Sequence, residues 1–276
     1  MNKKIWIFVV LFFGCILLFF YIDKEHIEYN EAKYKKENEL FLDMENNDTG
    51  YKKLEEKINY EAGAEVDSAN KLKQIFVEIM DIKQINQELQ HYITGQTTIV
   101  DNHISMKAEK VGEKYISGKL ETKVGFKYGV FEWDIKTVVG DGVFPAIWML
   151  PMTGQKYPEI DIYEMIGNEP NLIYGVEHYY TGGQQKRVFF QHRFSHTELP
   201  KEFRLKFVWS EDEMIWYIDN EEVYRVNENV PQEPMYMIMN LAIGGVWPGD
   251  PTDEKIFPVT FDSRLITFKT ENIYMR

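Results

Sequence analysis

The residues with the clearest capacity for chemistry lie in Tyr157-Pro-Glu-Ile-Asp-Ile-Tyr-Glu-Met-Ile-Gly167, where three carboxylates, Glu159, Asp161 and Glu164, fall within six residues. Like charges that close together raise the pKa of at least one of them. A cleft that needs one ionised nucleophile beside one protonated acid uses that effect. Ile160 and Ile162 alternate with Glu159 and Asp161, the period-two pattern of a strand with one apolar and one polar face. Strict alternation would send Glu164 to the apolar face. One extra residue, a β-bulge near Ile162–Tyr163, returns it to the face of Glu159 and Asp161. A helix fits less well: Pro158 and Gly167 bound only eight residues, and positions five apart on a helix point about 140° away from each other. For an arbitrary pair of acids the plain alternative is a solvated strand face, so the surrounding elements decide.

Those elements must come from 276 residues, enough for one large β-rich or α/β domain and an appendage. A hydrophobic fraction of 44% with 15% aromatics supports a sizeable core and leaves aromatics for a binding surface. The net charge of −13, uninterrupted by any basic cluster, argues against nucleic acid as a partner and suits a neutral ligand such as a glycan. Cys15 is the single cysteine, which excludes an intramolecular disulfide and a multi-cysteine metal site.

Residues 5–22 form 18 consecutive residues without a charge, near the length that crosses a bilayer as a helix. Lys3 and Lys4 precede the run and Asp23, Glu25 and Glu28 follow, which predicts a cytoplasmic N-terminus and an extracytoplasmic remainder at the cell membrane. An uncleaved signal anchor over 1–22 is the favoured reading. A cleaved signal peptide and a lipoprotein signal at Gly14-Cys15 are the alternatives. Asp23 to Asp67 carries 14 acids against 7 lysines, and residues 23–70 read as a polar, partly helical stalk. From 71 to 276 the chain reads as one domain. Its first stretch is open to two readings, an amphipathic helix over 72–90 or a first strand within Gln74–Met80.

Beyond Gln87 short alternating segments follow one another: Thr98–Val100, His103–Ala108, Tyr115–Thr122, Tyr128–Thr137, Phe144–Leu150, Leu172–Tyr179, Arg187–His192, Phe203–Trp209, Met214–Ile218, Met235–Ala242 and Leu265–Phe268. Turn residues such as Asp101-Asn102 and Asp219-Asn220 separate them. Strands this numerous with no helical pattern between them predict an all-β sandwich of two antiparallel sheets, a jelly roll whose face can curve into a cleft.

Several segments then resemble, in order, those of the family 16 glycoside hydrolases: Gln87-Glu-Leu-Gln-His-Tyr92, Tyr115-Ile-Ser-Gly-Lys119, Phe126-Lys-Tyr-Gly-Val-Phe-Glu132, Phe144-Pro-Ala-Ile-Trp-Met-Leu-Pro151, Glu159-Ile-Asp-Ile-Tyr-Glu164, Trp216-Tyr-Ile-Asp219 and Asn240-Leu-Ala-Ile-Gly-Gly-Val-Trp-Pro-Gly249. The resemblance implies a concanavalin-like jelly roll. It also implies a retaining, endo-acting cleavage of internal β-linkages in a polysaccharide, a β-1,3- or β-1,3/1,4-glucan or a galactan. Glu159 would be the nucleophile, Glu164 the acid/base, and Asp161 the residue that tunes the pair. Transglycosylation of a cell-surface polysaccharide and non-catalytic carbohydrate binding are the alternatives. By the same resemblance His178, Trp247, Trp148, Asn240 and Glu132 are candidates for substrate binding, Trp148 with a core role as its rival. Catalysis needs no cofactor. A structural Ca²⁺, with Asp262 as a candidate ligand, is the one metal the resemblance suggests. Asp134 stands where the family commonly has arginine, Phe144 replaces a tryptophan and Tyr174 a histidine, so β-1,3-glucan does not carry over unexamined as substrate.

Overall fold

The computed structural model of the chain describes residues 75–81, 86–194 and 199–276, together with the backbone of two short strands near the N-terminus. These two, β1 (Ile5–Phe8) and β2 (Phe19–Ile22), pair antiparallel with Ile5 opposite Ile22, where a continuous membrane helix is expected. The rest of that run and the stalk over 23–70 lie outside the described residues, among which no helix is long and apolar enough to cross a membrane.

The remaining elements are almost all strands, as the alternation predicts. They are β3 (Phe76–Glu78), β4 (Gln90–Tyr92), β5 (Thr97–Val100), β6 (His103–Val111), β7 (Lys114–Ser117), β8 (Lys119–Thr122), β9 (Val124–Lys136) and β10 (Val143–Pro151). Then come β11 (Glu159–Met165), β12 (Leu172–Thr181), β13 (Gln184–Arg193), β14 (Glu202–Trp209), β15 (Met214–Ile218), β16 (Glu221–Val226), β17 (Met235–Ile243) and β18 (Val259–Met275). The open choice near residue 76 resolves to strand: β3 pairs antiparallel with β8, and Ile75 and Phe76 join the core. A helix there would leave Phe76 without that burial. Two strands exceed the expectation. β16 completes a hairpin with β15 across Asp219-Asn220, whose φ angles of 51° and 69° suit a primed turn. β18 is 17 residues long and runs along nearly the whole of β9.

The strands form two layers. One runs β13-β12-β11-β10-β17-β8-β3, the other β16-β15-β14-β9-β18-β6-β5, and the pair Met235–Phe126 joins them. Between them lie the large buried side chains Trp133, Trp209, Trp216, Phe126, Phe131 and Phe207. Phe131 meets Phe268 edge-on at 5.0 Å, a geometry favoured by the ring quadrupoles. Burying this apolar area is what drives the layers together. The first layer keeps its second face for a cleft.

Candidate active site

The expected bulge is present. On β11 the pairing with β12 passes from Asp161–Val176 to Glu164–Tyr174, so three residues on one strand face two on the other. The pairing with β10 slips at the same place, between Ile147 and Trp148. Ile160, Ile162 and Tyr163 are fully buried in the core, while Glu159, Asp161 and Glu164 line the cleft on the other face. The bulge takes the carbonyl of Ile162 out of the ladder, and the indole N–H of Trp216, reaching up from β15, donates to it at 3.1 Å. Gly175 on β12 makes room for that indole. A Cβ there would come within 2.9 Å of the Trp216 nitrogen and 2.2 Å of the Phe190 ring.

The three acids share a cleft of about 810 Å³, a volume suited to several sugar rings. Burial pushes the pKa of Glu159 well above the usual carboxylate range; the Asp161 charge adds to this and Lys156 opposes it. Burial also raises Asp161, against the hydrogen bond and charge of His178. Glu164 is raised well above its usual range by burial, then by both Asp161 and Glu159, with Arg187 in opposition. All three shifts run toward the protonated form, and the protons belong to the group as a whole.

His178 lies on β12 across from Glu159. Its Nε2 is 3.3 Å from Asp161 Oδ2 and 3.9 Å from Glu159 Oε1. The Gln185 amide is 3.5 Å from Nδ1. An amide N–H donated to Nδ1 leaves the ring proton on Nε2, where it faces Asp161. Trp148 resolves to the cleft, and its indole N–H donates to Asn240 Oδ1 at 2.7 Å. Asn240 is buried and donates in turn to the Tyr92 hydroxyl at 3.0 Å, so its amide fixes two cleft aromatics at once. Trp247 is 44% exposed and meets Phe144 and Tyr174 edge-on at 5.2 and 4.8 Å, forming an aromatic corner near Glu164. Trp133 and Trp209 are core residues.

One candidate for substrate binding is not brought to the cleft. Glu132 lies on β9 in the opposite layer, where its carboxylate accepts from Thr267 at 3.1 Å and faces Arg204 at 3.5 Å. It follows Phe131, whose ring fills the core, and the period-two alternation turns Glu132 outward on the layer that does not form the cleft. Asp262 is paired with Lys136 at 3.6 Å. Among the described residues Asp262 belongs to no group of three or more carboxylates and histidines close enough to share an ion. Asp134, in the position noted for its departure, is buried and takes a bidentate bond from Arg204 at 2.7 and 3.0 Å and a further one from Arg264. Among the cleft residues that were not candidates are Asp81, Glu88, Lys119 and Lys156 and, on β13, Gln185, Arg187, Phe189 and Gln191. The alternation along β13 was the signal for the last four. It is faint because polar residues fall on both faces, with Val188 and Phe190 alone marking the inner one.

Comparison with known proteins accords with this geometry. Residues 85–263 match the family model described as glycosyl hydrolases family 16. Endo-1,3-1,4-beta-glycanase EglC of Rhizobium meliloti is 34% identical over 189 residues, covering 61% of this chain and 40% of that protein. Glucan endo-1,3-beta-glucosidase A1 of Niallia circulans is 33% identical over 204 residues, covering 60% of this chain and 30% of that protein. The chain thus spans less than half the length of these curated relatives. Among solved structures, the laminarinase catalytic domain from Thermotoga maritima superposes with a TM-score of 0.60 at 26% identity, covering 74% of this chain and 92% of that one. The endo-beta-1,3-glucanase from Pyrococcus furiosus gives 0.60 at 28% identity, covering 72% and 90%.

Proposed function

Since the chain belongs to glycosyl hydrolases family 16, we propose that it is a retaining, endo-acting β-glycosidase of a polysaccharide, a β-1,3- or mixed-linkage β-glucan being the first substrate to try. One observation carries this reading: the bulge in β11 that turns Glu159, Asp161 and Glu164 into a single cleft while their neighbours fill the core. Glu159 attacks the anomeric carbon and the glycosidic bond to the leaving oxygen breaks, giving a covalent glycosyl-enzyme. Glu164 gives its proton to that oxygen, then takes one from the water that releases the sugar. Asp161, held by His178, keeps the charge of the nucleophile in place. Trp148 and Trp247 offer flat apolar faces to the sugar rings.

The names of the relatives support β-glucan, and the exposed aromatic corner at Trp247 supports a polymer lying across the strands. The uncharged run at 5–22 behind Lys3 and Lys4 supports a membrane tether with the domain outside the cell. Removal of residues 1–22 is then expected to move the protein from the membrane to the soluble fraction.

Glu159→Gln is nearly isosteric, and it is expected to abolish release of reducing ends from β-glucan while the thermal transition stays in place. Equal activity of wild type and variant would overturn the assignment.

A further inference from the structure

The cleft carries two basic side chains that form no ion pair among the described residues. Alternate residues of its edge strand β13 face into it, among them Arg187 and Phe189. Arg204, Arg225, Arg264 and Arg276 are each paired with a carboxylate. Arg187 is exposed and, among the described residues, pairs with none. Its guanidinium lies 5.7 Å from the centroid of the Phe189 ring, which is itself 51% exposed. Lys156, ahead of β11, likewise forms no ion pair among the described residues, although its charge acts on Glu159, and it sits over the Tyr157 ring at 5.3 Å. In a protein of net charge −13, these two cations stand in the same cleft as the three acids.

The register fixes where these charges stand. Glu159 is opposite His178, and His178 is opposite Arg187. Two strand spacings, roughly 10 Å, therefore separate the backbone of Arg187 from that of Glu159. That is about the length of a disaccharide, so a chain lying across the strands would bring a sugar one or two units from the breaking bond to Arg187. The opposite end of the cleft holds Asp81 and Glu88, and Lys119, the cation that lines it among the described residues, is paired with Asp81 at 3.5 Å and Glu121 at 3.2 Å. An anion is repelled from that end and admitted at β13.

We propose that the cleft takes an acidic polysaccharide, with Arg187 binding a carboxylate or sulfate ester carried by the sugar that packs on Phe189. The planar guanidinium suits both anions because it offers two parallel N–H donors. Lys156 supplies a second positive charge on the other side of the nucleophile. This rests on the glycosidase reading above and specifies its substrate. The rival role for Arg187 is to moderate the pKa of Glu164, which it does whatever the substrate.

Three polymers separate these roles: a β-1,3-glucan, the same glucan lightly carboxymethylated, and the same glucan lightly sulfated. kcat/KM is measured on each for the full chain and for Arg187→Gln, at low and at moderate salt. The wild type is expected to favour at least one substituted polymer over the parent by on the order of tenfold, as a charge-assisted hydrogen bond would give. Salt should shrink that ratio, and Arg187→Gln should bring it close to one. Whichever substituted polymer shows the effect identifies the anion. Equal cleavage of all three polymers, or an Arg187→Gln variant that slows all three alike, would overturn the proposal and leave the glycosidase reading intact. If wild type cleaves none and Glu159→Gln binds none, the glycosidase reading fails and the proposal with it.

Discussion

Glu159 and Glu164 are the same side chain in different company. Burial raises both, but Glu159 has Lys156 beside it, whereas Glu164 feels two other acids. The two neighbouring acids favour the protonated form of Glu164, against Arg187, and Lys156 favours the ionised form of Glu159, the direction that the roles of acid and nucleophile require. Glu164→Ala is expected to lower kcat by about 10²–10⁴-fold on an unactivated polymer, and added azide should restore turnover of an activated substrate with a β-glycosyl azide as product. An α-azide would contradict retention. Asp134 shows the opposite shift. Burial alone would raise it, but its bonds to Arg204 and Arg264 hold its carboxyl below the usual range. A depressed folded pKa means that the bond's contribution is present above the unfolded value and is lost as pH falls through the folded one. Asp134→Ala is expected to cost about 2 kcal/mol in urea unfolding at pH 7, less than the 3–5 typical of a fully buried pair because both arginines are partly exposed. Activity should survive, since Asp134 lies in the layer away from the cleft.

At the scale of the element, the bulge in β11 does what no single acid can. It needs support from below, and Trp216 provides that through its bond to the Ile162 carbonyl. Trp216→Phe keeps most of the ring but leaves a buried carbonyl unpaired, at a cost of about 1–3 kcal/mol. The loss of kcat should exceed what that destabilisation explains, because Glu164 follows the bulge directly. Unchanged kcat in a destabilised variant would show the bulge to be held by its ladders alone. Asn240 does similar service on β17. Asn240→Ala removes the acceptor from Trp148 and the donor to Tyr92 together, and KM is expected to rise while kcat changes less.

For the whole molecule, the cleft layer is carried by a core that includes one unusual group. Glu177 follows Val176 on β12, is 1% exposed, and neither carboxylate oxygen has a hydrogen-bond partner in the structure. Burial pushes its pKa up to about 8. The sign follows: between the unfolded value near 4.5 and about 8 the folded chain holds a proton that the unfolded chain has lost. Stability is therefore highest below that window and falls as pH rises across it. Glu177→Gln, which cannot ionise, is expected to flatten the pH dependence of the melting temperature between these limits and to melt higher than wild type at pH 8. A wild-type curve already flat across this range would show that Glu177 has a partner in solution.

By itself the sequence determined the strand class, because period-two alternation over so many short segments leaves no helical solution. It also determined the acidic cluster and its bulge, since only an extra residue puts Glu164 on the face of Glu159 with Ile160 and Ile162 turned inward. What it could not decide was which face of which layer a residue reaches once the sheet folds over. Glu132 reads as a substrate-binding residue and stands on the layer without the cleft. Trp148 was evenly balanced between core and cleft until its partner Asn240, 92 residues away in the chain, came alongside. Arg187 and Phe189 joined the site only because β13 pairs with β12. Local pattern records whether a side chain is buried or exposed along its own strand, and long-range strand pairing decides what it is exposed to.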